Sequence, residues 1–241
     1  MKALRNLIIL LVIIVAISFF IPPDLRSGYF FYWYGRVTEL TSRDTGKAAA
    51  MYKQSTDAMK GKALFARAYA RALNDIATNF ENGTPLAEKY YTDALNFCNT
   101  WIEAQGEGGD GWMVYVEKAR AEWGLGRKNV AKQSIDKAVE LMPTDYIALV
   151  YQGIIWRDFS PHDRISVAAS MPIFEQAIEI RNETRASWAH YELAVAYKMI
   201  NDEVRALGEI QQALAQWPDR ELRNKAERLK HEIESSGRSN R

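Results

Sequence analysis

Leu193-Ala194-Val195-Ala196-Tyr197-Lys198-Met199-Ile200-Asn201-Asp202-Glu203-Val204-Arg205-Ala206-Leu207-Gly208-Glu209-Ile210-Gln211-Gln212-Ala213-Leu214-Ala215-Gln216-Trp217-Pro218 decides the fold. Apolar residues recur here every three or four positions, which is the spacing of one helix face. The period breaks at the turn Ile200-Asn201, where asparagine is a favoured turn residue. It resumes at Ala206 and stops at Pro218, so the stretch predicts two helices joined by a tight turn. The second helix reads small residue, three positions, large apolar residue, two positions, Ala-apolar: Ala206, Ile210, Ala213-Leu214. A small side chain admits a neighbouring helix closely, and the large one fills the space beside it.

The same register appears three more times upstream. Ala87, Tyr91, Ala94-Leu95 form one set; Ala131, Ile135, Ala138-Val139 a second; Ser170, Phe174, Ala177-Ile178 a third. The alanines at 94, 138, 177 and 213 stand 44, 39 and 36 residues apart, so the units shorten toward the C-terminus. Self-similarity at this period marks a stack of supersecondary units.

These residues resemble the tetratricopeptide repeat, a helix-turn-helix unit. The last unit matches at Leu193-Ala194, Tyr197, Ile200-Asn201, Ala206, Ile210, Ala213-Leu214 and Pro218. The unit spanning residues 112–145 matches in its second half through Leu125-Gly126, Ala131, Ile135, Ala138 and Pro143, but Glu122 stands where the family prefers an aromatic. The next keeps Gly153 and Trp156 and then inserts about five residues within 157–169. The first, roughly 62–104, keeps only its second helix in register. The resemblance covers roughly residues 60–220 and implies the fold far more than the ligand.

Trp217-Pro218-Asp219 stops one helix and supplies an N-cap for another. Leu222, Ala226, Leu229 and Ile233 form one apolar stripe in an otherwise charged segment, as a terminal capping helix needs. An extra helix is expected over 47–60.

The N-terminal segment reads differently. Lys2 and Arg5 precede an apolar run at residues 7–21, and Pro22-Pro23 follows. Counted from Leu4, a helix here would reach roughly 27 Å, close to a ~30 Å hydrocarbon core. An uncleaved signal anchor is expected over residues 1–23. A cleaved signal peptide is the other reading, since Ala16-Ile17-Ser18 is small-x-small, but Phe19-Phe20-Ile21 would then form the new terminus. The basic N-terminus places the following domain outside, in the periplasm of a bacterium, although Arg26, Arg36, Arg43 and Lys47 weaken that asymmetry. Tyr29, Phe30, Phe31, Tyr32, Trp33 and Tyr34 suit a membrane interface within an aromatic juxtamembrane segment at 24–46. The alternative is that these rings pack on the first helices.

The expected fold class is therefore all-α: an N-terminal transmembrane helix, then a tetratricopeptide-like α-solenoid of about four helix pairs over 47–218, then a capping helix and tail over 219–241. The expected localisation is the bacterial inner membrane, with a single pass.

Little in the chain suggests chemistry. The net charge of +1 does not call for nucleic acid or another polyanion. The one cysteine, Cys98, cannot close an internal disulfide and reads as a small core residue. Gly106-Glu107-Gly108-Gly109-Asp110-Gly111 spells G-x-G-x-x-G, but a helix precedes it and its two acids repel phosphate, so it reads as a linker. His162, His190 and His231 stand apart, in no metal-binding spacing. Asn82-Gly83-Thr84 and Asn182-Glu183-Thr184 spell glycosylation acceptors, relevant only in a eukaryotic secretory pathway. No catalytic residue, metal or cofactor is expected, no nucleic acid and no small-molecule substrate.

The resemblance implies a concave face lined by the first helix of each unit. Met113, Val116, Arg120 and Trp123 would line it, then Ile147, Val150, Ile154 and Arg157, then Trp188, Tyr191, Val195 and Lys198. The expected partner-binding residues are Arg120, Trp123, Arg157, Trp188, Tyr191 and Lys198: aromatic floor and cationic edge, suited to a peptide or helix with acidic groups. The competing reading is that the chain's own segments fill this face. The expected role is a protein-binding scaffold, an accessory subunit of a multi-subunit membrane complex; the alternative is a transient assembly factor or chaperone.

Overall fold

The structure is a computed structural model that describes residues 23–239, apart from 43, 107, 182–184 and 217. The described residues form eleven α-helices: α1 (Pro23–Thr41), α2 (Thr45–Ala58), α3 (Ala63–Ala77), α4 (Pro85–Gln105), α5 (Trp112–Gly124), α6 (Lys128–Leu141), α7 (Tyr146–Phe159), α8 (Arg164–Ile180), α9 (Ser187–Met199), α10 (Glu203–Ala215) and α11 (Arg220–Ser239). They fall into two compact units, residues 1–106 and 107–241. Consecutive helices pack as pairs in each unit: α1 with α2 and α3 with α4 in the first; α5 with α6, α7 with α8 and α9 with α10 in the second, where α11 adds a last layer.

Aspartates cap several of the helices, Asp219 among them as the sequence suggests. The side chains of Asp145, Asp202 and Asp219 accept the N–H groups of Ala148, Arg205 and Leu222 at 2.8, 3.0 and 2.9 Å. Two turns repeat one geometry. Gly126 has φ 72° and Asn201 φ 63°, and each lets the next residue reach back: the Arg127 N–H donates to Glu122 O at 2.8 Å, and the Asp202 N–H to Tyr197 O at 2.9 Å. Glycine and asparagine are the residues that tolerate this left-handed backbone at a helix end.

The shared register is the core. The small residues Ala87, Ala131, Ser170 and Ala206 are fully buried, as are Ala94, Ala138, Ala177 and Ala213; Tyr91, Ile135, Phe174 and Ile210 are buried beside them. Gly153 belongs to the same logic, because a Cβ there would collide with the Phe174 ring. The capping stripe is buried too: Ala226, Leu229 and Ile233 of α11 join Leu193, Ala194 and Tyr197 of α9 in one cluster.

The expected N-terminal architecture needs correction. Among the described residues no helix is long and apolar enough to cross a membrane. The transmembrane helix, the signal anchor and the single-pass inner-membrane localisation, with its periplasmic domain, are not supported. The apolar run at 7–21 on which they rested lies outside the described residues. Pro23 opens α1, at a position whose N–H would have no helical partner anyway. The aromatic segment is the body of α1, and α1 with α2 makes an additional helix pair ahead of the four expected. Gly28 and Gly35, two turns apart, are what let α1 lie close on α2. A Cβ at Gly35 would sit 2.7 Å from the Tyr52 ring, and one at Gly28 would collide with Met59. The Ser55 hydroxyl donates to the Gly28 carbonyl at 2.8 Å across this contact.

The six rings consequently divide between two sides of one helix. Tyr32 turns inward, its ring centroid 5.8 Å from Tyr52 and 5.5 Å from Phe65. Phe31 is half-buried, Tyr29 keeps an edge on Phe65 at 5.2 Å, and Phe30, Trp33 and Tyr34 face outward. On the inner flank Arg71 donates to both Glu39 oxygens at 2.9 Å, and Arg36 donates to the same carboxylate at 2.9 Å.

Candidate partner-binding site

Three first helices of the second unit, α5, α7 and α9, share a ladder of side chains. It starts at Glu117, a fully buried acid that accepts from Arg120 at 2.7 Å. The Arg120 guanidinium lies over the Tyr151 ring, 4.9 Å from its centroid, a cation–π contact between α5 and α7. Tyr151 meets Trp188 of α9 edge to face at 5.1 Å. The Trp188 indole N–H then donates to Glu192 at 3.0 Å, and Arg157 of α7 donates to the other Glu192 oxygen at 2.6 Å. Arg157 also pairs with Asp158 at 2.7 Å. Burial works against the Arg157 charge, but the carboxylates of Asp158 and Glu192 outweigh it and hold the guanidinium protonated beyond its ordinary range.

This ladder gathers three of the six expected site residues, Arg120, Arg157 and Trp188. Tyr191 is half-buried one position before Glu192, its phenol pushed up by burial first and by the Glu192 charge second. Trp123 stands apart, with the Lys128 ammonium 5.3 Å from its ring. Lys198 is tied to Glu232 of α11, so the capping helix reaches the third stripe. Of the expected floor, Met113, Ile147, Ile154 and Val195 are half-buried, whereas Val116 and Val150 are buried.

The cations do not form a free positive edge. Arg120, Arg157 and Lys198 each have a carboxylate partner within the unit. What the face offers is half-exposed aromatic surface with its charges internally paired. Tyr151 and Glu192 were not in the expected set, yet both join the ladder. They stand four residues after Ile147 and Trp188, positions a stripe counted at three and seven passes over although they share the helix face.

Trp188 also borders a cavity of about 560 Å³ at the start of α9, with Tyr146, Arg185, Ser187, Gln216 and Leu222 in its lining. Its wall is fixed by the Ala186 N–H donating to Gln216 at 2.6 Å and the Ala189 N–H donating to the Tyr146 hydroxyl at 3.1 Å. His190 is buried, with Nδ1 2.7 Å from Glu209, and Cys98 is buried in the first unit. No group of three metal-binding side chains occurs among the described residues.

No protein-family model matches the chain, and no curated protein matches its sequence. Solved structures do match its fold. A thermophilic tetratricopeptide protein from Thermus thermophilus superposes with a TM-score of 0.62 at 16% identity, over 86% of this chain and 96% of that one. MamA from Desulfovibrio magneticus RS-1, residue 41 to the end, gives 0.52 at 12% identity over 79% and 94%. Yeast Tom70 gives 0.58 at 13% identity, over 88% of this chain and 41% of its own. With the buried register already described, these likenesses establish that the chain has the tetratricopeptide-repeat fold.

Proposed function

We propose that this chain is a protein-binding scaffold without catalytic activity, holding a partner on the first-helix face of residues 107–241. The observation that carries this is the Arg120–Tyr151–Trp188–Glu192 ladder, which spans three repeats and leaves aromatic surface half-exposed. Half-exposed aromatics on rigid elements are favoured anchors for a partner. The internal ion pairs fix their positions before anything binds, which lowers the ordering cost of association. Since the cations are already neutralised, the partner is an apolar or aromatic helix or peptide; acidic groups would add little. Trp123, Trp188 and Tyr191 supply contact surface, with Tyr151 added at its centre, and Arg120, Arg157 and Lys198 hold that surface in place through their internal ion pairs.

The role is that of an accessory subunit in a multi-protein assembly. Co-purification from the native cell, compared between the wild type and a Tyr151→Ala/Trp188→Ala variant, tests it. A stoichiometric partner that the variant loses while keeping its helicity supports the reading. Identical partners for both proteins, or none for the wild type, refute it. The same experiment addresses a transient assembly factor, whose partner would be absent from the mature assembly.

A further inference from the structure

α1 presents an apolar face that no described residue covers. Phe30 and Trp33 are each 63% exposed, Leu40 is 74%, Val37 50%, Tyr34 46% and Tyr29 45%. They share one side of the helix, opposite Gly28, Tyr32 and Gly35, which pack on α2 and its neighbours. The face comprises on the order of 600 Å² of apolar surface, at the upper end for the largest patch on an ordinary monomer.

The pattern along the face indicates what covers it. Its first half is aromatic (Tyr29, Phe30, Trp33, Tyr34) and its second half aliphatic (Val37, Leu40). Arg36 and Glu39, the charged residues within this span, turn to the flank and pair with one another at 2.9 Å. Each Arg36 brings its own carboxylate partner to the edge of the face, and an antiparallel copy lays rings against aliphatic side chains. A two-fold axis at the level of residue 35 sets Phe30 against Leu40 of the second copy and Trp33 against its Val37. Two such faces bury roughly 1,200 Å², the lower bound for specific, stable interfaces. The remainder of α1 is held by close glycine contacts, so the face is presented rigidly.

We propose that this face pairs with the same face of a second copy, giving an antiparallel α1–α1 dimer. The interface lies in residues 23–41, within the first unit.

Sedimentation equilibrium on the full chain tests it, run beside a Trp33→Ser/Leu40→Ser double variant. The expected result is a monomer–dimer equilibrium that the variant weakens at least tenfold, with an unchanged helix content because both side chains are exposed. A second measurement reports the geometry. Cys98 is buried, so a short thiol cross-linker should join Trp33→Cys chains to Val37→Cys chains in preference to either with itself. A wild type that stays monomeric at tens of micromolar overturns the proposal. So does association that the double variant leaves intact, which would place the contact in another segment such as the apolar run at 7–21. Cross-linking with no preference between the mixed and the like pairs overturns the antiparallel arrangement.

Discussion

Arg157 of α7 and Glu192 of α9 meet at 2.6 Å with side chains only 7% and 11% exposed, so one buried ion pair joins two successive repeats. Removing one member leaves the other charged and out of water. Arg157→Ala is expected to cost roughly 3 kcal/mol. Replacing both by apolar residues of similar size, Arg157→Met with Glu192→Leu, should recover much of that loss, because neither charge is then stranded. Chemical denaturation of the two variants measures the difference; equal losses would show that packing around the arginine, not its charge, matters.

Glu122 carries an opposite liability. It is 2% exposed and occupies the position that Tyr197 holds in the last repeat, in the same turn geometry. Its Oε2 has no hydrogen-bond partner. Burial raises its pKa above the ordinary 4.5, against the lowering influence of Ser134, Lys118 and Arg127. A folded-state pKa above the unfolded one favours the fold at low pH, and that contribution is lost as pH rises through the raised value. Glu122→Gln should therefore stabilise the protein at neutral pH by about 1 kcal/mol, with the gain vanishing below about pH 4. Thermal midpoints across pH check both sign and window.

The glycines of the close contacts should rank by what their Cβ would meet. Gly35→Ala forces the Tyr52 ring aside and Gly153→Ala the Phe174 ring. Each should lose about 1–2 kcal/mol after the gain in helix propensity is counted. Gly28→Ala makes the closest approach of the three, onto Cγ of the buried Met59 rather than the far end of that side chain, and should cost the most. Equal midpoints for the three alanine variants would contradict the packing described for α1 and α7.

The capping helix should be held by its stripe rather than by its ion pair. Ile233 is 2% exposed, and Ile233→Ala is expected to cost about 2–3 kcal/mol. The Lys198–Glu232 pair is 39% and 61% exposed, so Lys198→Ala should leave the thermal midpoint unchanged. Urea titrations of the two variants decide between packing and charge.

How much was legible in the sequence follows from what each signal measures. The repeat register was readable because close helix packing demands a small residue at Ala87, Ala131, Ser170 and Ala206, and all four are fully buried. The helix α1 was not. Gly28 and Gly35 weaken a helical reading by propensity, and six neighbouring rings read as an interfacial belt, because contact with α2 is invisible in a local window. On the first-helix face, counting by three and seven singled out Trp188 and Tyr191 and passed over Tyr151 and Glu192, which share that side of the helices. The pairing of Arg120, Arg157 and Lys198 with Glu117, Glu192 and Glu232 was beyond reach: an arginine looks the same in sequence whether its charge is free or spent.

α11 turns Arg220, Glu221, Arg223, Lys225, Glu227, Arg228 and Lys230 outward while burying Ala226, Leu229 and Ile233. Those outward side chains are mainly cationic, so an identical side meets like charge and copies do not stack through it. A self-complementary patch on α1 is consumed by the first copy that meets it, so growth through it halts at two molecules and seeds no fibre.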